Sequence, residues 1–368
     1  MHGAGISLLR GHGRLTGVKR VSVTAEDGTV TELEANHAVV VSTGSDPLMP
    51  DIDGLLASNP WTPREATSAQ EAPESLAIIG GGVVAAEMAT AYASFGTKVT
   101  IFARSGMLQG QEDIAQDAVT KGLRSLGVTI VTASPDRVER TDEGVALHVG
   151  DDVTVATEVL VATGRVPRTT DIGLDTVGLK VGDWLSVDDT LLVTGTDWLY
   201  ATGDVNHRVL LTHQGKYQAR AAGDVIAARA KGLPVDDAPW GTHVATADHA
   251  AVPQVTFSEP EVASAGLTSE AAKKAGLNVR VVDYNMGWVA GVSLQADDYE
   301  GTARMVVDED RGVIVGVTFV GQDVSELIHA ATTAIVGEVP ITRLWHAVPA
   351  YPTMNEIWLR LLETYGRP

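Results

Sequence analysis

The chain has 368 residues, no cysteine and a formal net charge of −20. Its length allows two or three domains with separate cores, and its acidic balance argues against nucleic acid or an anionic membrane surface as a partner. The lack of cysteine excludes disulfides, thiolate metal sites and cysteine redox chemistry among these residues.

Aromatic residues make up only 5% of the chain, whereas glycine, alanine and valine abound, as is typical of layered α/β proteins with buried parallel strands. No apolar run approaches the ~18 residues of a membrane span. The first residues also lack the long apolar core of a signal peptide. The composition therefore predicts a soluble cytoplasmic protein.

The first part of the chain predicts strands. Two alternating runs flank an Asp27-Gly28 turn, which is a strong hairpin signal. A buried run, HAVVVSTGS, follows and ends at Thr43-Gly44. Pro47, Pro50 and the polar stretch 58–73 then predict a connector.

The stretch 76–104 predicts a strand, a glycine turn, a helix and a second strand. This context gives meaning to the G-x-G-x-x-[GA] pattern of Gly80, Gly82 and Ala85. Gly80 allows the tight turn, Gly82 lets a pyrophosphate approach the backbone, and Ala85 keeps helix and strand close. The helix N-terminus then offers its N–H groups to the pyrophosphate. We predict a dinucleotide site here; the alternative is a plain structural turn.

Two helices are predicted in this region, one from about residue 83 to Gly96 and one from about 114 to Gly127. A hairpin and the buried run EVLVATGR follow, which ends at Thr163-Gly164. This repeats the order of hairpin, buried strand and Thr-Gly found before residue 45. Only the second copy is preceded by a nucleotide-binding glycine loop and helix. We therefore expect the corresponding segment of the first copy to begin about 40 residues upstream of Met1. The alternative is a small β-element that never had one.

The remaining chain begins with a buried strand, WLYATGDV, which ends in Thr202-Gly203-Asp204, and a helical stretch from about residue 212. From about residue 252, four alternating runs predict strands: QVTFS, VRVVDYNM, TARMVVDE and GVIVGVTFVG. Helical patterns over 324–336 and 355–365 follow. Strands followed by helices indicate a separate α+β domain.

Several motifs in order, GGGVVAAEMA, LVATGR, YATGDV, LTHQGKYQAR, VPQVTFSEPEVASAGLTSEAA and YPTMNE, resemble the pyridine nucleotide–disulfide oxidoreductases. The resemblance implies an α/β protein with Rossmann-like FAD- and NAD(P)-binding domains and a C-terminal α+β dimerisation domain. Residues 1–50 and 166–245 would form an incomplete FAD domain. Residues 51–165 would form the NAD(P)H domain and residues 246–368 the dimerisation domain.

The resemblance also assigns cofactor residues. Thr43 and Gly44 match a segment that passes close to FAD, while Gly203 and Asp204 match the family's acidic turn near the flavin; an ordinary turn aspartate is the alternative for Asp204. Gly164 lies in the motif LVATGR. Glu87 matches a position near the nicotinamide, or is a surface helix residue.

The chain departs from the family pattern in three places. The family's N-terminal FAD fingerprint and its C-x-x-x-x-C pair are missing, and the motif H-P-T-x-x-E reads Tyr351-Pro352-Thr353-Met354-Asn355-Glu356. Tyr351 and Glu356 are the candidate catalytic residues, although tyrosine titrates near 10 and is a poor acid/base near neutrality. Mercuric reductases also place tyrosine in this region. We favour a structural interpretation of Glu356, in which residues 353–356 form a capping box with Glu356 at N3.

The predicted second strand of the nucleotide unit ends in Ala103 and Arg104, where a carboxylate would usually bind the ribose of NAD. Arg104 and Ser105 instead suit a 2′-phosphate, which favours NADPH. The alternative is a solvated arginine at a strand end. The histidines show no metal-ligand spacing, so we predict no metal site.

Three functions compete. The first is an NAD(P)H-dependent, FAD-linked oxidoreductase that passes electrons to a small-molecule acceptor without a cysteine pair. The second is a redox-inactive scaffold that binds or transforms a small-molecule, biosynthetic ligand. The third is a structural or regulatory subunit that dimerises through residues 246–368. The resemblance implies a homodimer in each case.

Overall fold

Strands and helices alternate over residues 75–131, runs of strands lie on both sides of that stretch, and an antiparallel sheet with helices forms the C-terminal part. The structure is a computed structural model and describes residues 5–367. The strands are β1 His12–Gly17, β2 Arg20–Thr24, β3 Val30–Glu34, β4 Val39–Val41, β5 Ser45–Pro47, β6 Ser75–Ile79, β7 Lys98–Phe102, β8 Thr129–Val131, β9 Arg137–Thr141, β10 Gly144–Val149, β11 Asp152–Ala156, β12 Glu158–Val161, β13 Arg165–Pro167, β14 Leu199–Ala201, β15 Pro253–Thr256, β16 Glu261–Gly266, β17 Val279–Asn285, β18 Thr302–Asp308 and β19 Val313–Gly321. The helices are α1 Pro63–Ser68, α2 Val83–Ser94, α3 Asp113–Ser125, α4 Thr212–Ala230, α5 Ala247–Ala250, α6 Ser269–Lys274, α7 Ile328–Val336, α8 Ile341–Leu344 and α9 Glu356–Tyr365.

The chain forms two compact units, the first made of the residues up to Asp46 and of Arg165–Asp248. In this unit β1, β2 and β3 form an antiparallel sheet. Strand β4 pairs in parallel with β14, and β5 pairs with β13. Helix α4 buries Ala221, Ala222 and Val225 in a cluster with Tyr200 of β14. Because β4 and β14 are parallel, the segments that follow them leave the sheet at the same edge.

The second unit consists of Pro47–Gly164 and the residues from His249 onward. Its first sheet is parallel, with the strand order β12-β6-β7-β8. From β6, the chain proceeds to β7 and β8 on one side, while β12 lies on the other. The strand order therefore reverses beside β6, and the carboxyl ends of β6 and β12 flank the position where such sheets bind ligands.

The predicted helix ends in this sheet are confirmed. Helix α2 ends at Ser94 and is followed by Gly96, whose φ of 90° is left-handed. Helix α3 ends at Ser125 and is followed by Gly127, with a φ of 83°. Glycine tolerates this conformation without a Cβ penalty, so both helices stop where the sequence places a glycine.

The C-terminal residues of the second unit form a five-stranded antiparallel sheet in the order β15-β16-β19-β18-β17, with α7 and α9 packed on it. The α+β prediction is thus confirmed, but one strand was missed. Strand β16 has the sequence EVASAG, and alanine, serine and glycine have low strand propensity. It forms because β15 and β19 pair with it on both sides and bury Val262, Ala263 and Ala265.

The predicted connector over residues 58–73 contains helix α1, which the sequence analysis did not predict. Thr62 caps this helix by accepting a hydrogen bond from the amide of Arg64, and Glu65 bonds back to the Thr62 amide. Pro63 occupies the first helical position, where its missing N–H has no cost. The sequence Thr-Pro-x-Glu carried this signal, but the surrounding proline and polar residues obscured it.

The internal repeat is present in the structure. Hairpin β2–β3 precedes β4 in the first unit, and hairpin β10–β11 precedes β12 in the second. Thr-Gly follows the parallel strand in both copies.

Among the described residues, none of the helices combines the length and the apolar character that a transmembrane segment needs.

A buried ion cluster joins the parallel sheet's helix α3 to the C-terminal sheet inside the second unit. Arg304 of β18 donates to Glu112, which precedes α3, at 2.8 Å, and pairs through two further bonds of 2.8 Å with Asp283. Glu112 is 4% exposed and also accepts from the amide and hydroxyl of Ser269. The hydrogen bonds from Arg304 to Asp283, together with those to Glu112, raise the pKa of Arg304 further above its usual value. The cluster is fully paired, which a buried carboxylate requires.

Replacing Arg304 with methionine should lower the free energy of unfolding by about 3–5 kcal/mol, because it leaves Glu112 charged and buried without its cation. Urea denaturation measures this change. The control is Arg137→Met, since Arg137 pairs with Glu139 at the surface and its loss should cost less than about 1 kcal/mol. Equal losses in the two variants would contradict the role of the cluster.

Candidate functional site

The loop Gly80–Gly82 connects β6 to α2 at the reversal point of the parallel sheet. Gly80 has a φ of 125°, and a Cβ there would overlap the carbonyl oxygen of Ala162 after β12. Its amide donates to Phe102 at the end of β7. Only glycine meets both demands, so the loop lies tightly against the ends of its two neighbouring strands.

The middle and last glycines of the loop have different surroundings. A Cβ on Gly81 would overlap the carbonyl oxygen of Gly106, and the Gly81 oxygen accepts from the amide of Leu108 at 2.7 Å. Gly82, the N-cap of α2, has an ordinary φ of −83° and open space where a Cβ would stand. The loop is therefore closed toward the protein and open at Gly82.

The N-terminus of α2 is not capped by any side chain. Among residues 5–367, the amides of Val83, Val84 and Ala85 donate to no protein acceptor. The Ala85 side chain is fully buried with Leu76 and Ile78 of β6, as the close helix–strand packing of this motif requires. Unpaired amides beside an open glycine have the geometry that suits a phosphate group.

The turn that contains Arg104 and Ser105 lies directly beside this loop. It begins at Ala103 and closes with a bond from the Gly106 amide to the Ala103 oxygen. Arg104 and Ser105 are both exposed, and Arg104 makes no ion pair with any residue that the structure describes. The structure thus brings together two segments that the sequence predicted separately as nucleotide-binding. Gly164 lies two residues beyond Ala162, at the end of the adjacent strand.

Glu87, one helical turn into α2, is half-buried and accepts a hydrogen bond of 3.0 Å from the amide of Phe257. Burial raises the pKa of its carboxyl group. Its carboxylate therefore links the nucleotide-binding helix to the C-terminal sheet inside the second unit. A role near a nicotinamide stays a prediction.

The first unit holds the other group of predicted cofactor residues. Thr43 and Gly44 follow β4, and Gly203 and Asp204 follow β14, so the parallel pairing places the two segments side by side. Ser42 and Thr202 join them through a hydroxyl bond of 2.8 Å. The backbone φ is 76° at both Gly44 and Gly203, and a Cβ at either would stand in open space.

Asp204 is fixed by residues that the sequence did not single out. Its Oδ2 accepts from the Ser45 hydroxyl at 2.6 Å and lies 3.5 Å from Nε of Arg165. Arg165 in turn donates to both the hydroxyl and the carbonyl oxygen of Ser45. Ser45 and Arg165 directly follow the two Thr-Gly pairs, and this position was the available signal. Beside them, the buried hydroxyl of Thr43 has no hydrogen-bond partner in the described structure.

The predicted capping box at residues 353–356 is wrong. The Thr353 hydroxyl donates to the carbonyl oxygen of Ala350 at 2.6 Å, and Asn355 is the residue that precedes α9. Glu356 is therefore the first helical residue instead of the third, and its carboxylate cannot close a box with Thr353. Glu356 is 4% exposed, and its Oε1 has no partner among residues 5–367. Tyr351 is 76% exposed.

No group of three or more acidic or histidine side chains within residues 5–367 is arranged to hold a metal ion. The chemistry available at the two sites is that of backbone amides, glycine openings, side-chain hydroxyls, two exposed arginines and a carboxylate held by Ser45.

Comparison with known proteins identifies the family of the chain. Residues 1–223 match the sequence model described as pyridine nucleotide-disulphide oxidoreductase, and residues 252–361 match the model of that family's dimerisation domain. The chain belongs to this family. Members of the family depend on FAD and NAD(P). The predicted family and fold class are confirmed.

Curated relatives of the chain include dihydrolipoyl dehydrogenases. That of Geobacillus stearothermophilus is 30% identical over 99% of this chain and 75% of its own length. That of Chlamydia pneumoniae is 31% identical over 96% of this chain and 73% of its own length.

Solved structures show the same fold. The HOCl-induced flavoprotein disulfide reductase RclA from Escherichia coli matches with a TM-score of 0.81 and 23% identity, over 97% of this chain and 79% of that one. LpdA from Mycobacterium tuberculosis matches with a TM-score of 0.81 and 25% identity, over 98% of this chain and 77% of that one.

The two outer glycines of the loop should respond differently to alanine. Gly80→Ala should lower the free energy of unfolding by at least about 2 kcal/mol, because it forces a side chain into a left-handed backbone and against a carbonyl oxygen. Gly82→Ala should change the free energy of unfolding by less than about 1 kcal/mol, yet its methyl group would occupy the open space and weaken NADPH binding. Urea denaturation and calorimetric titration test the pair. Full NADPH affinity in Gly82→Ala would rule out phosphate binding at this opening.

Proposed function

We propose that the chain is an NAD(P)H-dependent oxidoreductase, FAD-linked like its family, that prefers NADPH. The observation that carries this proposal is the loop Gly80–Gly82, open at the uncapped start of α2 and packed against the turn of Arg104 and Ser105. Backbone amides and a cationic side chain, both suited to phosphate groups, would converge there within one small surface.

The nucleotide's pyrophosphate would bind at Gly82. The amides of Val83 and Val84 point out of the first turn of α2 without a protein acceptor, and the helix dipole places partial positive charge at the same end. Since a Cβ at Gly82 would stand in the open space, the absence of a side chain is what admits the phosphate to these amides.

Arg104 would select NADPH. It follows β7 at the position where NAD-binding proteins usually carry a carboxylate for the ribose hydroxyls. Its guanidinium is exposed and makes no protein ion pair in the described chain, so it can form charge-assisted bonds to a 2′-phosphate without first breaking another pair. The Ser105 hydroxyl offers a further donor in the same turn.

The first unit would hold FAD at the edge formed by Thr43, Gly44, Gly203 and Asp204. Three features fit the group: space above both glycines, an unpaired buried hydroxyl on Thr43, and a carboxylate held in one orientation by Ser45. Bound flavin would supply the hydride-accepting chemistry that amino-acid side chains lack. The residues themselves would bind the flavin and orient it.

Electrons would leave for a small-molecule acceptor such as a quinone, a dye or oxygen. None of the 368 residues is cysteine, so none of them can form the thiol pair used in disulfide reduction. Tyr351 and Glu356 stay candidate catalytic residues in this proposal: the phenol is exposed, and the buried carboxylate has an oxygen without a partner.

The assembly would be a homodimer formed through the C-terminal domain, residues 246–368, since residues 252–361 match a dimerisation domain. The FAD domain would comprise residues 1–50 and 166–245, and the NAD(P)H domain residues 51–165. A cytoplasmic location stays part of the proposal.

The flavin content of the purified protein tests the proposed activity. The protein as isolated, or after incubation with FAD, should show the visible absorption of flavin. NADPH should reduce the flavin and remove this absorption when oxygen is excluded. Denaturation should release FAD in a one-to-one ratio to the chain. If NADPH binds but no flavin does, the redox-inactive scaffold becomes the better description of this chain.

Arg104→Ala should weaken NADPH binding about tenfold or more while it changes NADH binding less than about twofold, because only NADPH carries the 2′-phosphate. Titration of the two nucleotides by fluorescence measures both constants. Arg124→Ala, which removes an exposed arginine from the last turn of α3, is the matched control. An equal loss for NADPH and NADH would refute the cofactor assignment.

A further inference from the structure

The turn Gly203–Asn206 of the first unit donates two hydrogen bonds to one buried side-chain oxygen. The Oε1 atom of Gln218, in α4, accepts from the Gly203 amide at 2.8 Å and from Nδ2 of Asn206 at 2.8 Å. Gln218 is fully buried. Both ends of the short 3-10 turn that carries Asp204 are thus bonded to a single atom.

The orientation of Gln218 is dictated by Asp248. The Asp248 side chain is fully buried, and its oxygens accept from Nε2 of Gln218, Nε2 of Gln214 and Nε of Arg208, each at 2.9 Å. A carboxylate only accepts, so the amide nitrogen of Gln218 has to face it. The amide oxygen of Gln218 must then face Gly203. A residue distant in sequence therefore decides which atom supports the turn.

Helix α4 also touches the turn without an intervening side chain. A Cβ on Gly215 would stand 3.2 Å from the Cα atom of Gly203. The backbone of α4 therefore packs against the turn, while Gln218 hydrogen-bonds to it. A substitution that changes the amide of Gln218 would act on the turn directly.

We propose that Gln218, oriented by Asp248, is a positioning residue that holds Gly203 and Asp204 in the geometry that the ligand at this edge requires. The inference rests on the proposed function, in which that ligand is FAD. Nothing in the arrangement requires Gln218 to touch the ligand, because its amide oxygen accepts two bonds from the turn and its amide nitrogen donates to Asp248.

Three variants of the full chain separate positioning from plain structural support. Gln218→Met keeps the length of the side chain but removes the acceptor from Gly203. Asp248→Asn keeps an oxygen that can accept from Gln218 and Arg208. Its new NH₂ group faces the amide of Gln214, which can rotate to present Oε1, an atom that makes no hydrogen bond within residues 5–367. Asp224→Asn makes the same charge change at an exposed position of α4 and serves as the control.

The readouts are the exchange protection of the Gly203 amide by NMR, the dissociation constant for FAD by fluorescence, and the thermal midpoint. Gln218→Met should raise the Gly203 exchange rate at least about tenfold and weaken FAD binding at least about fivefold. Asp248→Asn should lower the thermal midpoint more than Gln218→Met does, because buried Arg208 loses a counter-charge. It should nevertheless change Gly203 exchange and FAD affinity less than about twofold, and Asp224→Asn should change neither.

Unaltered Gly203 protection in Gln218→Met would overturn the proposal. So would an FAD affinity that falls in step with the thermal midpoint across the variants, since that pattern belongs to general structural support. If the unmodified chain fails to bind FAD, the flavin part of the proposed function fails, while the Gly203 exchange rates still decide whether Gln218 positions the turn.

Discussion

The close approach of Gly80 to the ends of two neighbouring strands is the constraint on which the nucleotide site depends. The loop can lie between Ala162 and Phe102 only because Gly80 has no Cβ and adopts a left-handed backbone. This placement delivers Gly82 and the unpaired amides of α2 to the reversal point of the sheet. The turn of Arg104 reaches the same surface because its oxygen at Gly106 packs against Gly81.

Two buried carboxylates, one in each unit, provide the second kind of constraint. Glu112 accepts from Arg304 and Ser269, and Asp248 accepts from Arg208, Gln214 and Gln218. Hydrogen-bond donors offset the cost of burying these two carboxylates, and because the donors come from different segments, each carboxylate joins several segments. Glu112 anchors α3 to the C-terminal sheet, and Asp248 supports the turn that carries Asp204.

The two candidate catalytic residues near the C-terminus have opposite surroundings. The ring of Tyr351 is exposed, whereas Glu356 is buried and has one oxygen without a partner among residues 5–367. The predicted capping box offered Glu356 a partner, but the Thr353 hydroxyl bonds to Ala350 instead. Glu356 thus has no structural hydrogen bond at Oε1 that would explain its burial.

The sequence by itself determined the strands, the long helices, the glycine loop and the family, because these depend on local backbone preference and on short-range periodicity. The errors have the same local origin: β16 lacks strand-forming residues, and the capping signal of α1 was hidden among prolines. Only the tertiary structure decided that Arg165 and Ser45 hold Asp204, that Arg304 neutralises Glu112, and that Asp248 orients Gln218. Those bonds join residues far apart in the chain, and a side chain's partner across such a distance follows from how the elements pack, which no local pattern encodes.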